Sequence, residues 1–291
     1  MTFIKSIPIA FVAAFSLVLN SANGNEPNIN SMAPDLIIPP VESVEASPGQ
    51  RVWATTTGWE GTTVKHTLYL PKDWRADGRY PVLIEYPGNG SYRNQLGDVS
   101  EGTVDGCQLG YGLSGGEKFI WACLPFVEIT PEGTRQNCAR WWGDIEETKR
   151  YCMASVREIC SRYSGDADRV VLCGFSRGSI ACNYIGLRDD EIAPLWRAFF
   201  CHSHYDGVRK WPHADSDAAS AITRLKRLGN RPQWVSHEKS VSEIQQFVEQ
   251  AKVTTRIDFV AIPFPNHTAA WLLRDLPERK AAREWLKRVT E

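Results

Sequence analysis

The sequence predicts an α/β fold with a mostly parallel central sheet and helices on both faces. Three observations carry this. Apolar runs of strand length alternate with segments of helical period from residue 51 onward. Residues 169–178 read as a buried strand that ends in Gly174-Phe175-Ser176-Arg177-Gly178 and runs straight into a helix-compatible stretch. No internal repeat and no break in composition divides residues 51–291, so one domain is expected there.

In chain order, residues 51–56 and 63–70 alternate apolar and polar side chains, which suits two antiparallel strands at a sheet edge. Residues 80–86 form a buried-strand candidate that enters the turn-forming run Pro87-Gly88-Asn89-Gly90-Ser91. A further apolar strand is expected over 119–126. A long loop through Trp141-Trp142-Gly143 then leads to a helix over 144–162, with Ile145, Thr148, Cys152, Val156 and Ile159 on one face. After the 169–178 turn, strands are expected over 195–201, 232–236 and 257–262. Helices are expected over 218–228, around Ile244, Phe247 and Val248, and over 277–289.

Ser176 is the candidate nucleophile. In a sharp strand-to-helix turn the serine is held at the top of the sheet, and glycines two positions to either side let neighbouring backbone approach. Gly-x-Ser-x-Gly alone occurs by chance in roughly one chain in ten of this length. Its setting between a β-branched strand and a helix is the informative part.

Residues 1–24 carry Lys5, an apolar run from Ile7 to Leu19 and then Ser21-Ala22-Asn23-Gly24, the pattern of a secretory signal peptide. The apolar run is shorter than the roughly 20 residues that span a bilayer, so a secreted or periplasmic protein without a membrane anchor is expected. Its removal takes Lys5 with it and leaves a formal charge of −2, which suggests neither a nucleic-acid nor an anionic-membrane partner. Residues 25–50, rich in Pro, Asn, Ser and Glu, read as a flexible lead-in. Eight cysteines in an exported chain permit disulfides, with Cys107 and Cys138 in loops as the bridge candidates. No Cys-x-x-Cys marks a structural zinc site, and no cofactor is indicated.

The strand, Gly174-x-Ser176-x-Gly178 turn, helix and late His267 resemble the α/β-hydrolase superfamily in kind and order, over roughly Trp53 to the C-terminus. More narrowly, the stretch from Tyr80 to Gly90 and Ile262-Pro263-Phe264-Pro265-Asn266-His267-Thr268 resemble secreted bacterial esterases of the polyhydroxybutyrate depolymerase and feruloyl or acetylxylan esterase type. The resemblance implies Ser176 as nucleophile and His267 as its base. For the acid behind the histidine it leaves two positions open, Asp206 favoured and Glu238 second, because serine stands where an aspartate is often found after residues 237–239. It also implies an oxyanion hole from the backbone N–H of Arg177 and that of Gly88 or Asn89. Trp141 and Trp142 fall on the rim, where their faces could stack on a sugar or phenolic ring. The implied partner is a small-molecule or polysaccharide ester, with peptide cleavage or acyl transfer as alternatives on the same fold.

Two rival readings stand beside this one. His202-x-His204-x-Asp206 matches the start of a zinc-hydrolase ligand run, although Gly207 occupies the place of its next histidine. The fold also serves binding proteins that have lost catalysis. The sequons Asn89-Gly-Ser and Asn266-His-Thr overlap the expected site and read as coincidental.

Overall fold

The computed structural model describes residues 27–291, so the signal peptide expected over 1–24 lies outside the described residues. Nine strands form one sheet: β1 (Val41–Glu42), β2 (Arg51–Ala54), β3 (His66–Tyr69), β4 (Tyr80–Tyr86), β5 (Ile120–Cys123), β6 (Gly165–Phe175), β7 (Ala198–His202), β8 (Gln233–Glu238) and β9 (Ile257–Ile262). Their spatial order is β1-β2-β3-β5-β4-β6-β7-β8-β9. Only the β2–β3 and β3–β5 pairings are antiparallel. From β5 across to β9 every pairing is parallel.

Parallel neighbours need crossovers, and six helices supply or flank them: α1 (Leu109–Ser114), α2 (Ile145–Arg162), α3 (Arg177–Tyr184), α4 (Ala218–Leu225), α5 (Ser242–Gln250) and α6 (Pro277–Thr290). The side-chain alternation of β6 divides the core. Val170 and Leu172 pack with Cys152, Val156 and Ile159 of α2 and Ile180 of α3, whereas Val171, Cys173 and Phe175 pack on the face covered by Trp285 and Leu286 of α6. The amphipathic face expected for α2 is the one buried, and Asp144 caps that helix by accepting from the Glu147 N–H at 2.9 Å.

The expected strand over 119–126 divides in two. Pro125 cannot donate to a ladder, so β5 stops at Cys123, and Phe126–Ile129 instead pairs with Arg135–Cys138 as a separate ribbon. The turn between them is Thr130-Pro131-Glu132-Gly133, closed by the Gly133 N–H on the Thr130 carbonyl at 2.9 Å. Where composition suggests a flexible lead-in, residues 27–50 are bonded onto the domain. Ile29 is fully buried, Val41–Glu42 joins the sheet edge, and Asp35 accepts both Nη1 and Nη2 of Arg279 at 2.8 Å. The eight cysteines are all free thiols: Cys138 donates to the Arg140 carbonyl, and Cys107 lies beside Cys123 rather than near Cys138.

The turn at the end of β6 depends on two missing side chains. A Cβ at Gly174 would strike the backbone of Gly178, and one at Gly178 would strike the Tyr86 carbonyl and crowd that of Pro87. Gly178→Ala is therefore expected to cost about 1–3 kcal/mol of unfolding free energy through overpacking. Urea denaturation checks it, with Gly106→Ala, whose Cβ meets nothing closer than 3.4 Å, as the control. An unchanged midpoint for Gly178→Ala would contradict this packing.

Candidate active site

Ser176 sits at φ 55° and ψ −114°, a conformation that L-residues rarely adopt and that here is held between β6 and α3. Its own N–H donates to the His202 carbonyl at 3.0 Å, which ties the turn to the end of β7. Ser176 Oγ lies 3.0 Å from Nε2 of His267, in the loop after β9. On the other side of that ring, Nδ1 lies 2.8 Å from Oε1 of Glu238, the last residue of β8. A proton on Nδ1 donated to the carboxylate leaves Nε2 free to accept from the serine hydroxyl. All three side chains stand at the carboxyl ends of parallel strands, where such sheets place their ligands.

Glu238 is mostly buried. Burial works against its ionisation, but the hydrogen bond from His267 and the neighbouring imidazoles outweigh burial and hold the carboxyl well below the usual carboxylate range. Asp206, favoured over Glu238 in the sequence, is not at the histidine. It lies in the loop after β7 and accepts Nε and Nη2 of Arg224 at 2.8 and 3.0 Å, with both partners buried. That bidentate pair fastens the loop to α4. What β7 brings to His267 is Ser203, whose Oγ lies 2.9 Å from Nδ1 and whose φ of 87° is again in the left-handed region. No sequence signal marked Ser203.

The metal-ligand reading fails on geometry. His202 is buried, with Nδ1 at 3.0 Å from Ser236 Oγ and Nε2 at 3.0 Å from both the Thr268 carbonyl and Trp271 Nε1, and burial pulls its pKa down to about 4. Asp206 is spent on Arg224. His204 faces Trp211 and His267, at ring-centre distances of 5.4 and 5.1 Å, and burial lowers its pKa to about 3, so it stays neutral near pH 7. The three side chains thus serve three different neighbourhoods. A second acid-and-thiol cluster, Glu85, Cys107 and Cys123, is also occupied: Glu85 accepts from the Leu109 and Gly110 N–H groups and from Trp121 Nε1, at 3.1, 2.8 and 2.8 Å.

The N–H of Arg177, first residue of α3, has no carbonyl within its own helix to bind and points from the positive end of the helix dipole. The Arg177 side chain does separate work. Buried over the Phe126 ring at 4.1 Å, it donates to the carbonyls of Trp141 (2.6 Å) and Gly102 (3.2 Å), stapling two loops above the serine. Burial lowers its pKa to about 9. The loop bearing Gly88 and Asn89 lies against the first turn of α3, since Gly178 abuts the Pro87 carbonyl, and Asn89 Oδ1 accepts the Trp141 N–H at 2.8 Å.

Trp141 and Trp142 part company. Trp142 is 4% exposed and packs into the core against Phe126 and Tyr184, so it is not a rim residue. Trp141 is 36% exposed and lies 5.9 Å from Trp211. With Tyr92 edge-on to His267 at 5.0 Å, the sequence Trp141, Trp211, His204, His267, Tyr92 forms a nearly continuous aromatic rim. A cavity of about 180 Å³ opens between Gly88, Ser100, Gln108 and Phe175, and one of about 300 Å³ is lined by Ser203, His204 and Glu238. Both sequons are accounted for structurally: Asn266 is buried and bonded at both ends, and Asn89 is bonded to Trp141.

This strand order, with a serine at the turn after a central strand and a histidine after the last, is that of a known fold. The chain has the α/β-hydrolase fold. No protein-family model matches the sequence, and no curated protein does. Among solved structures, this chain is similar to one of two fungal esterases from Rhizomucor miehei, with 15% identity, 84% of each chain covered and a TM-score of 0.59. It is similar to esterase 2 of the planctomycete Thermogutta terrifontis at 14% identity, 81% and 93% coverage and a TM-score of 0.53. It also matches dipeptidyl peptidase 4 of Porphyromonas gingivalis at 15% identity and a TM-score of 0.53, covering 82% of this chain but only 35% of that one.

Asp206 and Glu238 are separable by mutation. Glu238→Gln is expected to lower kcat/KM for an ester by about 10³–10⁴-fold while lowering the melting temperature less than Asp206→Asn does. Asp206→Asn is expected to lower stability by about 3–5 kcal/mol, since it leaves the Arg224 guanidinium without its buried counter-charge. Steady-state kinetics and thermal melting of both variants check this, and the reverse pattern would return the acid role to Asp206.

Proposed function

We propose that the protein is a secreted serine hydrolase that cleaves carboxylic esters through an acyl-enzyme on Ser176. The observation that supports this most is the hydrogen-bonded run from Ser176 Oγ through His267 to Glu238, at 3.0 and 2.8 Å, presented by a strained strand-to-helix turn. A serine hydroxyl is a weak nucleophile until a base takes its proton, and His267 Nε2 stands where that transfer occurs. As the hydroxyl attacks the ester carbonyl, the imidazole becomes charged and Glu238 stabilises it. The new oxyanion is held by the N–H of Arg177 and by that of Gly88 or Asn89. The tetrahedral intermediate collapses when His267 returns the proton to the leaving alkoxide, and water repeats the cycle to free the acid.

The rim favours an ester carrying a flat aromatic or sugar ring, because Trp141, Trp211 and Tyr92 offer faces and edges beside the nucleophile. This agrees with the plant-polysaccharide or polyester substrates of the secreted esterases that the sequence resembles, and the solved structures it is similar to include an esterase phosphorylated by paraoxon. Export is supported by the leader pattern of residues 1–24.

Labelling of the mature protein with a fluorophosphonate probe tests the mechanism. The probe is expected to label the wild type and not Ser176→Ala, and that variant is expected to lose about 10⁶-fold in kcat on a p-nitrophenyl ester. Labelling that survives Ser176→Ala would contradict the assignment. For the rim, Trp211→Ala is expected to reduce the ratio of kcat/KM for a methyl cinnamate-type ester over methyl acetate by about 5–10-fold, the equivalent of one lost aromatic contact. An unchanged ratio would remove the rim from substrate recognition.

A further inference from the structure

The histidine loop is held by a polar node that the proposed mechanism does not use. Asp98, 2% exposed, accepts the His267 backbone N–H on Oδ2 at 2.8 Å and the Asn94 side-chain amide on the same oxygen at 2.7 Å. Its Oδ1 accepts Nδ2 of Asn266 and Nδ2 of Asn30, each at 2.8 Å. No cationic side chain is among these partners. A buried carboxylate satisfied by four neutral N–H donors is costly to desolvate, and a pair of apolar residues would pack a loop at lower cost. What the polar arrangement adds is direction: each donor fixes one segment at one angle, and the network is worth having only when all members are in place.

One of those segments comes from the other end of the chain. Asn28 Oδ1 accepts Nδ2 of Asn266 at 2.9 Å, and the Ile29 N–H donates to Asn266 Oδ1 at 2.8 Å. Both ends of the Asn266 amide are thereby engaged, immediately before His267. The Ile29 side chain, fully buried, packs in the cluster that contains Ala269 and Leu273, and Arg274 Nε donates to the Met32 carbonyl at 3.1 Å. Residues 28–32 are thus fastened along the whole histidine loop by backbone, side-chain and apolar contacts.

We propose that Asp98 is a positioning residue for the catalytic histidine and that residues 28–32 act with it as a strap, so that this segment, distant in sequence from His267, is part of the active site. This rests on the reading of His267 as the base. The strap sets the backbone from which the imidazole must reach Ser176 and Glu238 at once, and a displacement of about 1 Å at such a site costs on the order of 10²-fold in rate.

The test uses the purified protein with Asn30→Ala and Asp98→Asn. Asn30 is exposed, and its side-chain amide donates to the Leu96 carbonyl and to Asp98, so Asn30→Ala is expected to fold even where Asp98→Asn does not. Three quantities are read: kcat and KM on a short-chain ester, the fluorophosphonate labelling rate, and amide exchange of His267 by NMR. Asn30→Ala is expected to speed His267 exchange and to lower kcat and labelling by about 5–10-fold, with KM changed less than about threefold; Asp98→Asn is expected to lower them by about 10²-fold. A lower melting temperature with kcat, labelling and exchange all retained would overturn the proposal and leave the segment as packing alone. If the wild type neither turns over an ester nor labels, the hydrolase reading falls, and exchange at His267 decides on the strap by itself: faster exchange in Asn30→Ala supports it and unchanged exchange overturns it.

Discussion

The steric demand of the turn after β6 is the constraint on which the site depends. Ser176 keeps its φ of 55° only because Gly174 and Gly178 lack side chains and because the carbonyls of Tyr86 and Pro87 close over the first turn of α3. That contact brings the Gly88–Asn89 loop to the helix N-terminus, and the Ser176 N–H on His202 locks the turn to β7. Strain of this kind costs on the order of 1–3 kcal/mol and persists only where surrounding structure over-determines it. Here the parallel register of β4, β6 and β7 does so.

Around that turn the polar residues sort by what they bond. Asp206 is buried and Glu238 mostly so, both near strand ends, yet one is neutralised by a fork of guanidinium donors and the other faces an imidazole. A carboxylate held by Arg224 has its charge already answered and has little left for a developing imidazolium. Among the described residues Glu238 faces no guanidinium, and its interaction with His267 would grow if that ring gained charge. Ser203, at the same Nδ1, adds a hydroxyl where the backbone is bent to bring it.

Much of this was legible in the sequence. The alternation of strands and helices, the Gly-x-Ser-x-Gly turn and the loop after the last strand gave the fold class and directed attention to Ser176 and His267, because these features are local in sequence. The choice between Asp206 and Glu238 was not legible, since it turns on Arg224, eighteen residues beyond Asp206 on another element. Trp142 was indistinguishable from Trp141 by pattern, although one faces the core and the other solvent. The node at Asp98 joins residues 28–30 to 266–267, a separation no local pattern reports, and the Asn-rich lead-in reads as flexible until its partners are seen.

The proposed reaction is covalent chemistry at one oxygen, Ser176 Oγ. Rapid mixing of the purified protein with p-nitrophenyl acetate, quenched in acid and followed by peptide mass spectrometry, tests it most directly. A burst of p-nitrophenol with a single acetyl group on the peptide carrying Ser176 is the expected result. Turnover with no burst and no acetylated Ser176 peptide at any quench time, or acetylation of a different residue in step with the burst, would contradict it.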